Sequence, residues 1–236
     1  MADYILSCCS TADLSREHLN ARTIPYVCFH FFLNDEERID DLGISTPPKE
    51  LFDAIKAGAS ARTAQVNTDE YEAFFRPYLQ EGKDVLHVTL SSGISGTINS
   101  AQAAAAALRE EFPDRKIYIV DSLCASSGYG LFMDKLADLR DQDMGIDELK
   151  DWAEANRLRL NHWFFSTDLT QYIRGGRVSK TAGFVGGLLG ICPLLHVNNE
   201  GKLEPVAKIP SKKLVRREML KKMEQQAENG DRKSVV

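Results

Sequence analysis

The residues with the most chemical potential form a short segment rich in serine and glycine, SSGISGT at 91–97, which we call the serine segment. Its four hydroxyl groups and two glycines would let an oxygen-bearing ligand approach the backbone and take part in hydrogen bonds. Free N–H groups at a helix start carry a partial positive charge and favour an anion. The same composition also suits an ordinary capped helix start. The segment is therefore a candidate anion site.

Several familiar catalytic and metal-binding patterns are absent from the sequence. No G-x-x-x-x-G-K-[ST] motif occurs, which excludes a P-loop, and Ser95 misses the G-x-S-x-G elbow of hydrolases by one position. The five histidines are scattered without metal-ligand spacing, so we predict no metal site and no cofactor. Thr63 and Gln65 lie on a polar stretch at 62–67 that becomes relevant only if the fold brings it to the serine segment.

Composition bounds the class of protein and its partners. The 236 residues carry 29 Lys and Arg against 34 Asp and Glu, and 43% are hydrophobic. A net charge of −5 argues against nucleic-acid binding, and the apolar content argues against disorder. The N-terminus resembles no signal peptide, no stretch is long enough for an integral membrane segment, and the five cysteines include no C-x-x-C pair. We therefore expect a cytoplasmic protein with reduced thiols.

A strand–helix–strand unit is predicted to position the serine segment. Residues 85–90 read as a strand, residues 98–112 as a helix and residues 116–120 as the next strand. Short connections of this kind form a right-handed crossover between parallel strands. Ligands in open α/β folds bind at the carboxyl ends of such strands, which is where the serine segment lies.

The other elements complete an α/β fold. We predict an N-terminal three-layer domain with a parallel sheet at 1–158 and a smaller α/β domain at 159–236. The further predicted strands are at 4–7, 24–33, 163–165, 194–197 and 203–209, with a hairpin arm at 38–40; the further helices begin near 46 and span 68–80, 127–139, 146–160 and 211–227.

The sequence resembles the DegV family of fatty-acid-binding proteins over nearly its whole length. The similarity is carried by the serine segment, by TAQ at 63–65 (the family has TSQP), by VDSL at 120–123 and by LTQYIRGGRVS at 169–179. The resemblance implies two α/β domains that enclose a long-chain acyl group between them. It also implies that Thr63 and Ser95 hold the carboxylate of the acid.

The chain departs from the family pattern at three places. Cys9 stands where the family has the first Asp of DSTAD, and Pro210 stands where an Arg is expected. Family members also continue for several dozen residues, with a strand and a loop that carry a His near the ligand head. We therefore expect the second domain to be incomplete here, and no residue is assigned to that His.

The predicted function is a non-enzymatic carrier of a long-chain fatty acid. A buried carboxylate needs a cation or good donors, and Arg177 is the first candidate, although it could equally be a surface arginine that contacts a neighbouring carbonyl. Some family members present the carboxylate to a fatty acid kinase, which makes the acyl phosphate, and this is the expected partner. The predicted lipid-binding residues are Thr63, Gln65, Ser92, Ser95, Gly96 and Arg177.

Three interpretations stay open. The uncharged stretch at 181–195 suits either a wall of the acyl slot or the core of the second domain. A small α/β transferase or hydrolase could use the serine segment on a phosphorylated or acyl substrate, but the motifs lack a positioned base, since they contain no His or carboxylate except Asp121. An interaction protein could instead use the basic residues within 208–222.

Overall fold

The computed structural model describes residues 4–179 and 190–227, and the chain divides into two compact units, Met1–Arg157 and Leu158–Val236. In the first unit the elements are β1 (Tyr4–Cys9), α1 (Arg16–Ala21), β2 (Tyr26–Val27), β3 (His30–Leu33), β4 (Glu36–Ile39), α2 (Pro48–Lys56), β5 (Ala61–Ala64), α3 (Thr68–Gln80), β6 (Asp84–Thr89), α4 (Thr97–Glu111), β7 (Ile117–Asp121), α5 (Ser126–Arg140) and α6 (Ile146–Asn156). In the second they are β8 (Trp163–Phe165), α7 (Thr170–Arg174), β9 (Ile191–Val197), β10 (Leu203–Pro210) and α8 (Lys212–Gln226).

A four-stranded parallel sheet forms the centre of the first unit. Its order is β2-β1-β6-β7, and every neighbouring pair is parallel. The His87 ring of β6 lies against the rings of Tyr71 and Phe75 on α3, whereas Leu86 and Val88 point to the opposite face and are also buried. Burial on both faces requires cover on both sides of the sheet. The predicted α/β fold and its strand–helix–strand unit are confirmed.

A small antiparallel sheet, β4-β3-β5, corrects two predictions. Residues 24–33 form two strands in different sheets, because Phe29 leaves both ladders: its N–H donates to Ser10 Oγ at 3.1 Å and its carbonyl accepts from Asp40 N at 2.8 Å. The polar stretch at 62–67 is a strand in its first half rather than a loop, since β5 pairs with β3. The hairpin arm predicted at 38–40 is present as β4.

The second unit contains an antiparallel sheet of order β10-β9-β8. The predicted hairpin is confirmed by the pairing of Leu203 with Val197. The helix predicted at 146–160 ends earlier, at Asn156, and a single 3₁₀ turn follows it. Part of the uncharged stretch at 181–195 lies outside the described residues, and its described end belongs to β9. Within the described ranges, no helix has the length and apolarity that a membrane crossing requires.

Candidate functional site

The serine segment connects β6 to α4 at the carboxyl edge of the parallel sheet. A carboxylate fixes it to the neighbouring strand: Asp121 Oδ1, at the end of β7, accepts hydrogen bonds from Ser92 N at 3.1 Å and from Leu123 N at 3.0 Å. Ser91 N donates to Cys124 O at 3.1 Å. The loops that follow β6 and β7 are therefore held together, at the place where open α/β folds bind ligands.

The segment folds as a tight turn around a buried serine. Ser91 O accepts from Ile94 N at 3.0 Å and from Ser95 N at 3.1 Å, and Ser91 Oγ accepts from Gly93 N at 3.1 Å. The turn leads directly into α4, whose N-cap, Gly96, provides no side chain for capping. The partial positive charge of this helix start consequently lies beside the exposed Ser92 and Gly96.

The Ser95 hydroxyl takes part in a hydrogen bond within its own turn. Ser95 is 9% exposed, and its Oγ accepts a hydrogen bond from Thr97 N at 3.2 Å. Within residues 4–179 and 190–227, that hydroxyl makes no other hydrogen bond. Since a serine hydroxyl has one proton and two lone pairs, the bond from Thr97 occupies an acceptor position and leaves the proton free to donate.

Gln65 reaches the serine segment from the polar stretch that follows β5. Its Nε2 donates to Ser100 Oγ on α4 at 3.2 Å. Its Oε1 lies over Gly96, so closely that a Cβ at position 96 would stand 2.9 Å from it. The structure therefore brings Gln65 and Gly96 together, and the close approach depends on glycine at this position.

Thr63 lies two residues before Gln65, on β5. It is opposite Phe31 of β3 and is exposed, while the guanidinium of Arg62 stacks 3.5 Å from the centre of the Phe32 ring on the neighbouring strand. In the described part of the chain, no hydrogen bond joins Thr63 to the serine segment. The strand pairing holds its hydroxyl at a defined place on the same stretch as Gln65.

A chain of buried polar side chains lies beneath the serine segment. Thr97 Oγ1 is 2.8 Å from Tyr71 Oη, which is 3.5 Å from Cys9 Sγ; Cys9 Sγ is 3.7 Å from His87 Nε2, and His87 Nδ1 is 2.9 Å from Ser7 Oγ. All five residues are buried. Sequence reasoning missed Tyr71; a buried tyrosine needs a partner for its hydroxyl, but the sequence does not identify that partner.

Burial keeps this chain of side chains uncharged near neutral pH. It lowers the pKa of His87 to about 3, so the imidazole is neutral. It also raises the pKa of the Cys9 thiol and of the Tyr71 hydroxyl, which therefore stay protonated. No thiolate or imidazolium is produced under the serine segment.

Neither Ser92 nor Ser95 has a base beside it in the described residues. Activation requires a His or carboxylate within hydrogen-bond distance of the hydroxyl, and neither Ser92 Oγ nor Ser95 Oγ has one in residues 4–179 and 190–227. The Asp121 carboxylate is next to the segment, but it accepts from backbone N–H groups. Over the same described ranges, no group of three or more His, Cys, Asp or Glu side chains could hold a metal ion.

Arg177 belongs to the second unit, in the turn that follows α7. It is exposed, and its guanidinium donates to the carbonyl of Gly175. The next residue, Val178, is buried with Leu169 and Leu195 and anchors the turn to the sheet of that unit. The contact with a neighbouring carbonyl agrees with the structural alternative given above for this arginine.

The whole chain is similar to one described group of bacterial proteins. The family model described as "Uncharacterised protein, DegV family" matches residues 9–236. A DegV domain-containing protein from Clostridium perfringens is 32% identical over 235 residues, which cover 100% of this chain and 81% of the relative. One from Streptococcus pyogenes serotype M3 is 37% identical over 216 residues, covering 91% of this chain and 75% of the relative.

Solved structures of DegV family proteins are also similar to this chain. A DegV family protein from Thermus thermophilus, described for its fatty acid binding, has a TM-score of 0.83 and 29% identity, covering 96% of this chain and 78% of its own. The Fatty Acid Kinase (Fak) B3 protein of Streptococcus pneumoniae, loaded with linoleic acid, has a TM-score of 0.81 and 25% identity, covering 95% and 79%. A Ruminococcus gnavus protein at 21% identity, with a TM-score of 0.86, shares the fold and covers 97% and 80%.

Proposed function

Because the chain belongs to the DegV family, we propose that it binds a long-chain fatty acid and carries it without transforming it. Support comes from similar proteins that bind such acids, among them the Thermus thermophilus protein at 29% identity. Further support comes from the serine segment, which offers hydrogen-bond donors next to a helix start and in which neither Ser92 nor Ser95 contacts a base within the described residues. Such a site suits binding better than nucleophilic attack.

The hydrogen bond that Ser95 Oγ accepts is the observation that carries the proposal. A carboxylate only accepts hydrogen bonds, so a residue that holds it must donate. Thr97 N donates to Ser95 Oγ at 3.2 Å and thereby leaves the Ser95 proton for the ligand. The partial positive charge at the start of α4 further stabilises the carboxylate.

The other proposed residues would act on the head group in different ways. Thr63 supplies the second hydroxyl, and Gln65 and Gly96 shape the approach to the helix start. Ser92 is exposed beside them and adds a further hydroxyl. Arg177 is proposed to neutralise the carboxylate, because a carboxylate removed from water protonates unless a cation or good donors face it.

Tail burial must supply most of the affinity. About 15 methylenes at roughly 0.8 kcal/mol each give about 12 kcal/mol, against an association cost of about 4–15 kcal/mol. Each hydrogen bond from a hydroxyl to the charged head adds about 1.5–3 kcal/mol and fixes where the head lies. The head-group residues therefore set orientation and selectivity for an acid.

A fatty acid kinase is the proposed partner. The Streptococcus pneumoniae Fak B3 protein, which has 25% identity to this chain, supports this assignment. An exposed head-group site, with Ser92 and Gly96 at the surface of the first unit, is what a kinase would need to reach the carboxylate. We place this carrier in the cytoplasm, since all five cysteines lie in the described residues and all are free thiols.

Mass spectrometry of the lipid extracted from the purified protein under denaturing conditions tests the proposal. A C16–C18 fatty acid at near-equal stoichiometry is the expected result. Protein that has been stripped of lipid should take up the same acid when it is added back. Turnover of generic acyl esters by the stripped protein would instead support a hydrolase, and an absence of both lipid and uptake would contradict a carrier.

A further inference from the structure

Tyr71 links the serine segment to the inside of the first unit. It lies on α3, not on the loop that it contacts, and its side chain is fully buried. Its hydroxyl is 2.8 Å from Thr97 Oγ1 and 3.5 Å from Cys9 Sγ. A contact between a helix and the first residue of another helix restrains both, so Tyr71 fixes where α4 begins.

Thr97 has two separate contacts that connect Tyr71 to Ser95. Its side-chain hydroxyl contacts Tyr71, and its backbone N–H donates to Ser95 Oγ at 3.2 Å. A shift of Thr97 would therefore disturb the hydrogen bond that Ser95 Oγ accepts. Tyr71 itself does not reach the exposed side of the segment, since its neighbours are buried.

We infer that Tyr71 is a positioning residue for the fatty acid head group, acting through Thr97 on the Ser95 hydroxyl. The inference rests on the proposed function, because it assumes that Ser95 donates to a carboxylate. It assigns to a buried side chain a role in selecting acids over uncharged lipids. A role in packing alone would not produce such selectivity.

The surroundings of Tyr71 are built to hold its hydroxyl still. Its ring stacks on Phe75, with centroids 5.6 Å apart, and meets the His87 ring edge-on at 5.3 Å. His87 in turn contacts Cys9 Sγ and Ser7 Oγ, so the Cys9 sulfur next to the tyrosine hydroxyl has a second partner. Buried, mutually satisfied hydrogen bonds of this kind favour a single arrangement.

Tyr71→Phe is the direct test, because it removes the hydroxyl and keeps the ring. Binding of a C16 fatty acid and of the C16 alcohol would be measured on stripped wild-type and variant protein. We expect affinity for the acid to fall about tenfold, as when one hydrogen bond to a charged head group is lost, and affinity for the alcohol to change by less than about twofold. Equal losses for the two ligands, or no loss for either, would overturn the inference.

Tyr129→Phe is the matched control. Tyr129 is also fully buried, and its hydroxyl accepts from Cys9 N at 3.0 Å and donates to the Val88 carbonyl, away from Thr97. This variant should lose stability without changing the ratio of acid to alcohol affinity. A change in that ratio as large as in Tyr71→Phe would show that any buried defect has this effect, and would contradict a specific role for Tyr71.

Variants at Thr97 keep the inference testable if Tyr71→Phe does not fold. Thr97→Val removes the same hydrogen bond from the other side and should reduce the acid-to-alcohol ratio about tenfold, whereas Thr97→Ser retains the hydroxyl and should restore it. A normal ratio in Thr97→Val would overturn the inference while wild-type acid binding stands. Wild-type protein that binds neither ligand would instead contradict the proposed function.

Discussion

At the scale of single residues, the proposed site depends on which groups donate and which accept. Ser95 Oγ accepts from Thr97 N, and this leaves one hydroxyl proton for a ligand. The motif at 91–97 indicated a ligand loop from sequence alone. The hydrogen bond that Ser95 Oγ accepts from Thr97 N was not predictable, and neither was the contact of Thr97 with Tyr71, which is distant in sequence.

The side chain of Gln65 lies close over Gly96, and Gly96→Ala tests this contact. A Cβ at 96 would stand 2.9 Å from Gln65 Oε1, so the glutamine side chain must shift, which disturbs its bond to Ser100. In a double-mutant cycle with Gln65→Ala, we expect a coupling free energy of about 0.5–1.5 kcal/mol in the free energy of unfolding, measured by urea denaturation.

Gly145→Ala is the control for that cycle. Gly145 is likewise the N-cap residue of a helix, α6, but a Cβ there would meet nothing within 4 Å. Its effect should add to that of Gln65→Ala without coupling. If the effects of Gly96→Ala and Gln65→Ala on the free energy of unfolding also add without coupling, the contact between the two residues is contradicted.

At the scale of elements, the site depends on how α3 begins. A capping box starts this helix: Asn67 Oδ1 accepts from Glu70 N at 2.9 Å, and Asn67 N donates to Glu70 Oε2 at 2.8 Å. A capping box is a local pattern, because its two partners lie within four consecutive residues. The pairing of β5 with β3 was not predicted, because it joins segments about thirty residues apart that have no shared pattern.

Asn67→Ala should destabilise the first unit by about 0.5–2 kcal/mol, because it removes the side-chain acceptor at the start of α3. Asn67→Asp keeps an oxygen acceptor at a helix start and should cost much less. Urea denaturation followed by circular dichroism measures both changes. Equal losses in the two variants would show that the capping contact does not account for the effect.

At the scale of the whole molecule, the buried strands of the parallel sheet were the most predictable feature. Runs of apolar residues identified β1, β6 and β7, and the helix between β6 and β7 fixed their parallel pairing. The split of 24–33 into β2 and β3 was missed, because both halves have the composition of a strand. Which sheet each half joins is decided by the contacts of Phe29 with Ser10 and Asp40.

The buried His87 predicts how stability depends on pH. Its pKa in the folded state is about 3, below the ordinary value of about 6.5, so the unfolded chain binds the proton more readily than the folded chain. The stabilising contribution is complete above about pH 6.5 and is lost as the pH falls towards 3, with a slope of up to about 1.4 kcal/mol per pH unit.

His87→Gln isolates this contribution, since glutamine remains polar and does not titrate. The free energy of unfolding would be measured between about pH 4.5 and 7.5 for both proteins. The wild type should lose more stability than the variant as the pH falls, although His162 of the second unit, whose pKa burial lowers to about 4, titrates in both. Parallel curves would mean that His87 is not buried in its neutral form.

Titration of a C16 fatty acid into lipid-free protein, compared with the Thr63→Ala and Ser95→Ala double variant, tests the central claim most directly. We predict saturable binding at one acid per chain, which the double variant weakens by about 2–5 kcal/mol because two hydrogen bonds to the carboxylate are lost. Unchanged affinity in a folded double variant would contradict the head-group assignment. Wild-type protein that binds no fatty acid would contradict the account as a whole.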